Sequence, residues 1–146
     1  MMRAVLGLGL ALLLAPGAAM AESVSLAIGF SPAARDKLQS LGEHVVINAM
    51  YYGEPSDAGQ PHMDEIGQVQ LGSEVLTIWP RDQVVTLGGA LAGLPRELVQ
   101  APYLNVNVYS ARFADEDNLL DCGLVDGPLS DLTQAPQAMT CKLIGE

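Results

Sequence analysis

The side chains that most often carry catalysis are scarce in this sequence of 146 residues. It has two histidines, His44 and His62, two cysteines, and no serine in the G-x-S-x-G pattern of a nucleophile elbow. A serine or cysteine nucleophile needs a neighbouring base, and few histidines are present to supply one. The sequence has neither G-x-G-x-x-G nor G-K-[ST], so no phosphate-binding loop is indicated. Seventeen acids make some chance pair of carboxylates unavoidable, so we predict no catalytic residue and no enzyme activity.

His62, Asp64 and Glu65 are the residues whose types could bind a divalent metal ion. Imidazole and carboxylate ligands suit zinc and similar ions. Residues adjacent in sequence rarely converge on one ion, so His44 or Met50 would have to complete the site from another strand. A polar loop explains the same residues without a metal. We therefore predict neither metal nor cofactor, and keep weak metal or calcium binding as the alternative function.

The most acidic stretch of the chain begins at Asp115 and continues to Asp131. An EF-hand loop counted from Asp115 needs an oxygen ligand at its fifth position and glycine at its sixth. Leu119 and Leu120 occupy those positions, so the EF-hand pattern fails. A looser calcium site is the alternative to a solvated acidic loop, whose charge would limit pairing between sheet edges. We expect the solvated loop.

The two cysteines, Cys122 and Cys141, predict one disulfide bond. A chain exported to an oxidising compartment typically pairs such cysteines, and they lie too far apart for a redox-active C-x-x-C motif. The bridge would close a loop of about 20 residues, which corresponds to about 3 kcal/mol of stabilisation in the chain-entropy model.

Tyr103, Asn105, Asn107 and Tyr109 form a candidate recognition face on one side of a predicted strand. Leu104 and its apolar neighbours point to the other side. Tyrosine gives contact area at low entropic cost and is enriched in interfaces. The alternative is the ordinary outer face of an antiparallel strand, where tyrosine is common.

Alternating apolar residues predict strands along most of the chain after residue 22. Residues 23–30 and 103–110 give the clearest patterns, with further strands at 43–52, 67–71, 75–79, 83–87, 118–122 and 138–144. Turn residues separate them: Gly72-Ser73 predicts a turn between two of these strands, and Asp126-Gly127 predicts another. Tyr51, Tyr52 and Trp79 are expected in the core or at its edge.

One short amphipathic helix is predicted directly after the first strand. Ser31 is a favourable N-cap, Pro32 suits the first helical position, and Gly42 suits the C-terminal end. Residues 34, 38 and 41 fall on one apolar face, and we expect this helix to lie over an open end of a β core.

The N-terminal residues 1–21 have the pattern of a secretory signal peptide. Arg3 precedes an apolar run over residues 4–15, a Pro-Gly pair and a small-residue site that ends at Ala21. The run is too short for a membrane span, which needs roughly 20 residues. Cleavage after Ala21 would remove one base and no acid, leaving 125 residues with six bases, seventeen acids and a net charge of −11.

Together these patterns predict one exported, mainly β domain over residues 22–146. An antiparallel β-sandwich of about seven short strands with one short helix is the expected fold, and a partly open β-barrel with a helix on its end is the alternative. The acidity excludes nucleic-acid binding through phosphate contacts, and no membrane insertion is expected after signal cleavage.

The expected function is that of a non-catalytic binding or interaction module in the periplasm or the medium. Such a module could act as an inhibitor or as an accessory of envelope assembly. Its partner, a protein or a small ligand, is expected to be basic rather than acidic because the chain itself is strongly acidic.

Overall fold

The computed structural model describes residues 21–146, so the predicted signal peptide lies outside the described residues except for Ala21. Within this range, no helix is long and apolar enough to cross a membrane. The described elements follow in the order β1 (Val24–Phe30), α1 (Pro32–Leu41), β2 (Val45–Gly53), β3 (Val69–Ile78), β4 (Gln83–Leu87), β5 (Tyr103–Ser110), β6 (Leu120–Asp121), β7 (Val125–Pro128), α2 (Leu129–Leu132) and β8 (Gln137–Leu143).

The eight strands of the described range form two four-stranded sheets. Sheet I has the order β4-β1-β8-β6, and sheet II has the order β3-β2-β5-β7. Neighbouring strands are antiparallel except for β1 and β8, which are parallel. The described strands do not close into a barrel, so the predicted β-sandwich is confirmed.

The hydrophobic core lies between the two sheets. Alternate side chains of β1, β2 and β5 are buried, as a strand with one core-facing side requires. Each fully buried large apolar side chain contributes roughly 1.5–3 kcal/mol relative to an exposed one. The largest fully buried apolar side chains are Tyr51, Leu26, Leu38, Ile47, Leu87, Leu104 and Leu129.

Helix α1 begins and ends where the sequence predicts. The Ser31 hydroxyl accepts a hydrogen bond from the backbone N–H of Ala34 at 3.1 Å. Gly42 ends the helix with φ of 66°, a left-handed conformation that glycine adopts without steric cost. Ala34 and Leu38 are buried in the core, whereas Leu41, expected on the same face, is exposed.

Strand β3 differs from the prediction. Residues 67–71 and 75–79 were expected to form two strands joined by a turn at Gly72-Ser73, but Val69–Ile78 is one continuous strand. Tyr51 pairs with Gly72 and Tyr52 pairs with Gln70, so Leu71 is an extra residue in a β-bulge. The bulge reverses the alternation: Val69 and Leu71 face the core before it, and Glu74, Leu76 and Ile78 face inward after it. This reversal produces the two apolar phases that suggested two strands.

Strand β7 was not predicted. Asp126-Gly127 was expected to form a turn, but both residues pair with β5, at Asn105 and Leu104. Pro128 ends this strand at the edge of sheet II, where a residue without an N–H group costs no ladder hydrogen bond. Pro128 is therefore compatible with an edge strand, although it is unfavourable for a two-residue hairpin turn at Asp126-Gly127.

Glu74 holds the loop after β4 against sheet II. One oxygen of its carboxylate accepts the N–H of Gly88 at 2.9 Å, and the other accepts the N–H of Ala90 at 3.1 Å and the hydroxyl of Tyr51 at 3.0 Å. Burial of the Tyr51 phenol, together with the neighbouring carboxylate, raises its pKa. This carboxylate connects the two sheets, since β4 belongs to sheet I and β3 to sheet II.

The predicted disulfide bond between Cys122 and Cys141 is present, with an S–S distance of 2.04 Å. It joins the residue that follows β6 to the centre of β8, and both cysteines are buried. The bond therefore anchors the short strand β6, which spans only two residues, to the rest of sheet I.

Glu43 is a fully buried carboxylate between α1 and β2. It accepts backbone N–H groups of His44 at 2.9 Å, Phe113 at 3.2 Å and Ala114 at 2.7 Å. Burial acts to raise the pKa of Glu43, but these backbone hydrogen bonds outweigh it and lower the pKa below its ordinary value. The ionised carboxylate thus fixes the loop after β5 to the beginning of β2.

Replacing Glu43 with Gln should lower the free energy of unfolding by about 2 kcal/mol near neutral pH, because the amide cannot accept every N–H group that the carboxylate accepts. The folded pKa is lowered, so the stabilisation is present above the pKa of an unfolded glutamate and is lost as the pH falls through the folded pKa. Urea denaturation of both proteins should therefore show a difference that narrows on acidification. Asp36→Asn on the exposed side of α1 is the control, and a Glu43→Gln variant as stable as wild type at neutral pH would contradict this role.

Candidate functional site

The outer face of sheet II carries most of the residues that could recognise a ligand. Tyr103, Asn105, Asn107 and Tyr109 lie on this face, because Leu104 and the other residues in its phase point into the core. We call the following set the amide–tyrosine face: Asn48, Met50, Tyr52, Gln68, Gln70, Tyr103, Asn105, Asn107 and Asp126. Eight of these residues lie on β2, β3, β5 and β7, and the ninth, Gln68, directly precedes β3.

Strand register brings these side chains together. In the β2–β5 pairing, Tyr52 lies opposite Tyr103, Met50 opposite Asn105, and Asn48 opposite Asn107. The ring centroids of Tyr52 and Tyr103 are 5.6 Å apart, with the ring planes inclined by 42°. Cross-strand neighbours on one face lie within side-chain contact, so the pairs form a continuous surface.

Three connected depressions cover this surface. The largest, of about 480 Å³, is bordered by Met50, Tyr52, Gln70 and the two asparagines of β5, among others. A second, of about 360 Å³, lies at the bulge and shares Met50 and Gln70 with the first. A third, of about 150 Å³, lies between Tyr52, Glu54, Gln68 and Tyr103. Shared lining residues make them one shallow concave surface.

Hydrogen bonds hold several of these side chains in place. The Tyr52 hydroxyl donates to Asp126 Oδ1 at 2.7 Å, and Asn107 Nδ2 donates to Asn105 Oδ1 at 2.9 Å. Burial of the Tyr52 phenol, followed by its hydrogen bond to the Asp126 carboxylate, raises the pKa of Tyr52 to about 12. Tyr52 is therefore neutral at physiological pH and acts as a hydrogen-bond donor.

The Asp64 carboxylate accepts hydrogen bonds that order the segment before β3, and these explain its position without a metal ion. Its Oδ1 atom accepts the N–H groups of Ile66 at 3.0 Å and Gln68 at 2.9 Å, and its Oδ2 atom accepts the side-chain amide of Gln70 at 3.2 Å. The backbone hydrogen bond from Gln68, followed by the other donors, lowers the pKa of Asp64. Asp64 thus positions two amides of the candidate site.

The remaining metal candidates are not brought together. Among residues 21–146, no group of three or more histidine, cysteine or acidic side chains could hold a metal ion. His62 is exposed in a short 3-10 turn, and Glu65 is exposed beyond it. In the acidic stretch, Asp115 and Asp121 each accept the backbone N–H of the residue two positions further on, as turn residues do.

The structure separates tyrosines that the sequence analysis grouped together. Tyr109 lies on the predicted face, but it pairs with Val46 and borders none of the three depressions. Tyr51 is in the core as expected, whereas Tyr52 lies on the outer face. The mixed polar phase of β2, which contains Asn48 and Met50, was the signal for this surface. The contributions of Gln68, Gln70 and Asp126 depend on the bulge and on β7, which the sequence did not reveal.

A smaller aromatic cluster lies at the opposite end of β2. The ring centroid of His44 is 5.1 Å from that of Trp79 and 5.7 Å from that of Phe113. Arg112, with φ of 62°, precedes Phe113 in the loop that Glu43 holds. These contacts fix the loop after β5.

The amide–tyrosine face offers hydrogen bonds and aromatic contacts to a ligand. Carboxamides both donate and accept hydrogen bonds, and tyrosine adds an aromatic surface. Among the described residues that line its depressions, none is a lysine, arginine or histidine. No family model, curated protein or solved structure matches this chain.

Replacing Tyr52 with Phe should lower the free energy of unfolding by about 1 kcal/mol near neutral pH, because the hydrogen bond to Asp126 is lost. The stabilisation by Tyr52 is complete below the pKa of an unfolded tyrosine, about 10. It is lost as the pH rises through the folded pKa of about 12.

Tyrosine Cζ chemical shifts followed by NMR across this alkaline range would measure the pKa, with the Tyr52→Phe protein providing the assignment. Asp126→Asn should move the transition of Tyr52 to lower pH. A Tyr52 that titrates near the ordinary value in wild type would contradict the hydrogen bond.

Proposed function

We propose that this protein is an exported, non-catalytic binding module that recognises its partner with the amide–tyrosine face. The observation that carries this proposal is the scarcity of charge on the face, whose depressions are bordered by two acids, Asp126 and Glu54, and, within the described range, by no base. The chain has seventeen acids, but within the described strands acids occur only as Glu74, Asp121 and Asp126. Of these, Glu74 is turned inward, Asp121 belongs to sheet I, and Asp126 is hydrogen-bonded to Tyr52.

The composition of the face supports a contact surface. The cores of protein interfaces are depleted in charged residues and enriched in tyrosine and methionine. Here Met50 lies between Tyr52 and the asparagines, and the depressions extend on both sides of it. An ordinary solvent-facing sheet surface in so acidic a chain would be expected to carry more charge.

The charge balance favours a neutral or basic partner. Residues 22–146 have a net charge of −11, and the described lining of the depressions contributes carboxylates but no cation. A phosphate, a nucleic acid or an anionic membrane would be repelled. A protein partner or a small uncharged or basic ligand fits, and the corresponding roles are those of an inhibitor or an accessory of envelope assembly.

The disulfide bond is compatible with export. Structural disulfides persist in the periplasm and outside the cell, and the buried position of Cys122 and Cys141 fits a structural bond. Together with the N-terminal pattern of residues 1–21, this bond supports a periplasmic or secreted location.

Site-specific photo-crosslinking in an envelope extract tests the face directly. A photoreactive residue at Asn107, exposed on sheet II, should give crosslinked partner, and one at Thr140, exposed on the outer side of sheet I, should not. Excess unlabelled wild-type protein should abolish the Asn107 product by competition. Unlabelled Met50→Lys should compete at least about tenfold less well, because a desolvated charge in an interface core costs over about 1.4 kcal/mol.

The matched competitor is Thr140→Lys, which adds the same charge to the other sheet and should compete like wild type. Equal crosslinking from both positions, or full competition by Met50→Lys, would show that the partner binds elsewhere.

A further inference from the structure

The edge of sheet II formed by β3 differs from the other sheet edges of the described range. Strand β3 spans ten residues, whereas the edge strands β4, β6 and β7 span five, two and four. A long unpaired edge presents a row of free N–H and C=O groups to another strand. Short length limits this capacity in the other three strands, and Asp126 and Pro128 limit it further in β7.

The second half of β3 is open at its edge. At Gly72, which lies opposite the buried Tyr51, an added Cβ would lie 3.0 Å from the side chain of Leu94, so Leu94 packs against the inner side of the strand there. Beyond Gly72, residues 73–78 make backbone hydrogen bonds to β2 but to no other backbone group within residues 21–146. Half of their backbone groups therefore have no protein partner in the described chain.

The side chains of this open segment carry none of the usual protection. Ser73, Val75 and Thr77 point outward and are exposed, and Val75 has 59% of its surface accessible. Glu74 points inward to Gly88 and Ala90. Lysine, proline and outward-facing carboxylates, which normally keep edge strands apart, do not occur between residues 73 and 78.

We propose that residues 73–78 pair antiparallel with the same residues of a second copy of this chain. A twofold axis at Val75 places Val75 opposite its own copy and Ser73 opposite Thr77. These β-branched and hydroxyl pairs are favourable across strands, and no like charges face each other. The segment is thus complementary to itself, which is the property that a twofold interface requires.

Pairing at this edge joins two sheets II into one sheet of eight strands. The depression at the bulge, bordered by Gly72 and Ser73, then lies beside the new seam in each copy. The two amide–tyrosine faces become neighbours on one surface. Each copy carries a charge of −11 over residues 22–146, so the dimer strengthens as salt screens the repulsion.

Cysteine crosslinking tests both the pairing and its register. The two Val75 Cα atoms should lie about 5 Å apart, within reach of a disulfide bond. The two Ser73 Cα atoms should be displaced along the strands by about 13 Å, which is beyond reach of a disulfide bond.

Oxidised glutathione should therefore link Val75→Cys into a covalent dimer and leave Ser73→Cys monomeric. The double variant Ser73→Cys/Thr77→Cys should link again. The proposal is overturned if the two single variants form equal amounts of covalent dimer, or if Val75→Cys forms no covalent dimer.

Sedimentation equilibrium of the unmodified chain gives an independent measurement. Wild type should show a concentration-dependent dimer that strengthens with salt. Val75→Lys should raise the dissociation constant about fivefold or more, because two like charges then face each other. Val84→Lys is the matched control: Val84 on β4 is 66% exposed and should leave the dimer unchanged. A wild-type protein that is monomeric at every concentration and salt, or equal loss in both variants, overturns the proposal.

Discussion

The bulge at Leu71 is the constraint on which the arrangement of sheet II depends. A strand alternates its side chains strictly, so one extra residue exchanges the inner and outer faces for everything that follows. Before the bulge, Val69 and Leu71 face the core; after it, Glu74 does. Glu74 is half-buried there, and a carboxylate that is partly removed from water needs hydrogen-bond donors to replace the water it loses. Tyr51 and the loop after β4 supply these donors, and the bond that satisfies Glu74 also connects the two sheets.

The same exchange determines what the outer surface of β3 offers. It leaves Ser73, Val75 and Thr77 outside, so this part of the sheet is uncharged although the chain is strongly acidic. It also opens the depression at Gly72, next to the amides and tyrosines of β2 and β5. The proposed recognition surface and the proposed dimer edge are therefore two consequences of one irregularity in one strand.

Much of the fold could be predicted because local signals decide it. Ser31, Pro32 and Gly42 set the ends of α1, and alternation identified β1, β2 and β5. The two cysteines could pair only with each other. Pairing between segments that are distant in sequence could not be predicted from local signals. Gly72 resembles a turn residue but lies at a bulge in β3. Asp126 and Gly127 resemble a turn but form a strand, because they pair with the edge of β5. Three of the nine residues of the candidate site were predicted on β5, while Tyr52, Gln68 and Gln70 join it through pairings and loop contacts between distant segments.

The register of β3 against β2 is the most direct test of this account, since both surfaces follow from it. Nuclear Overhauser contacts between backbone protons can be measured in the isotope-labelled protein. We expect cross-strand contacts from Tyr51 to Gly72 and from Tyr52 to Gln70, with Leu71 left unpaired. Contacts between Gln70 and Val75 across a tight turn at Gly72-Ser73 would contradict it, because the outer and inner faces of β3 would then be reassigned.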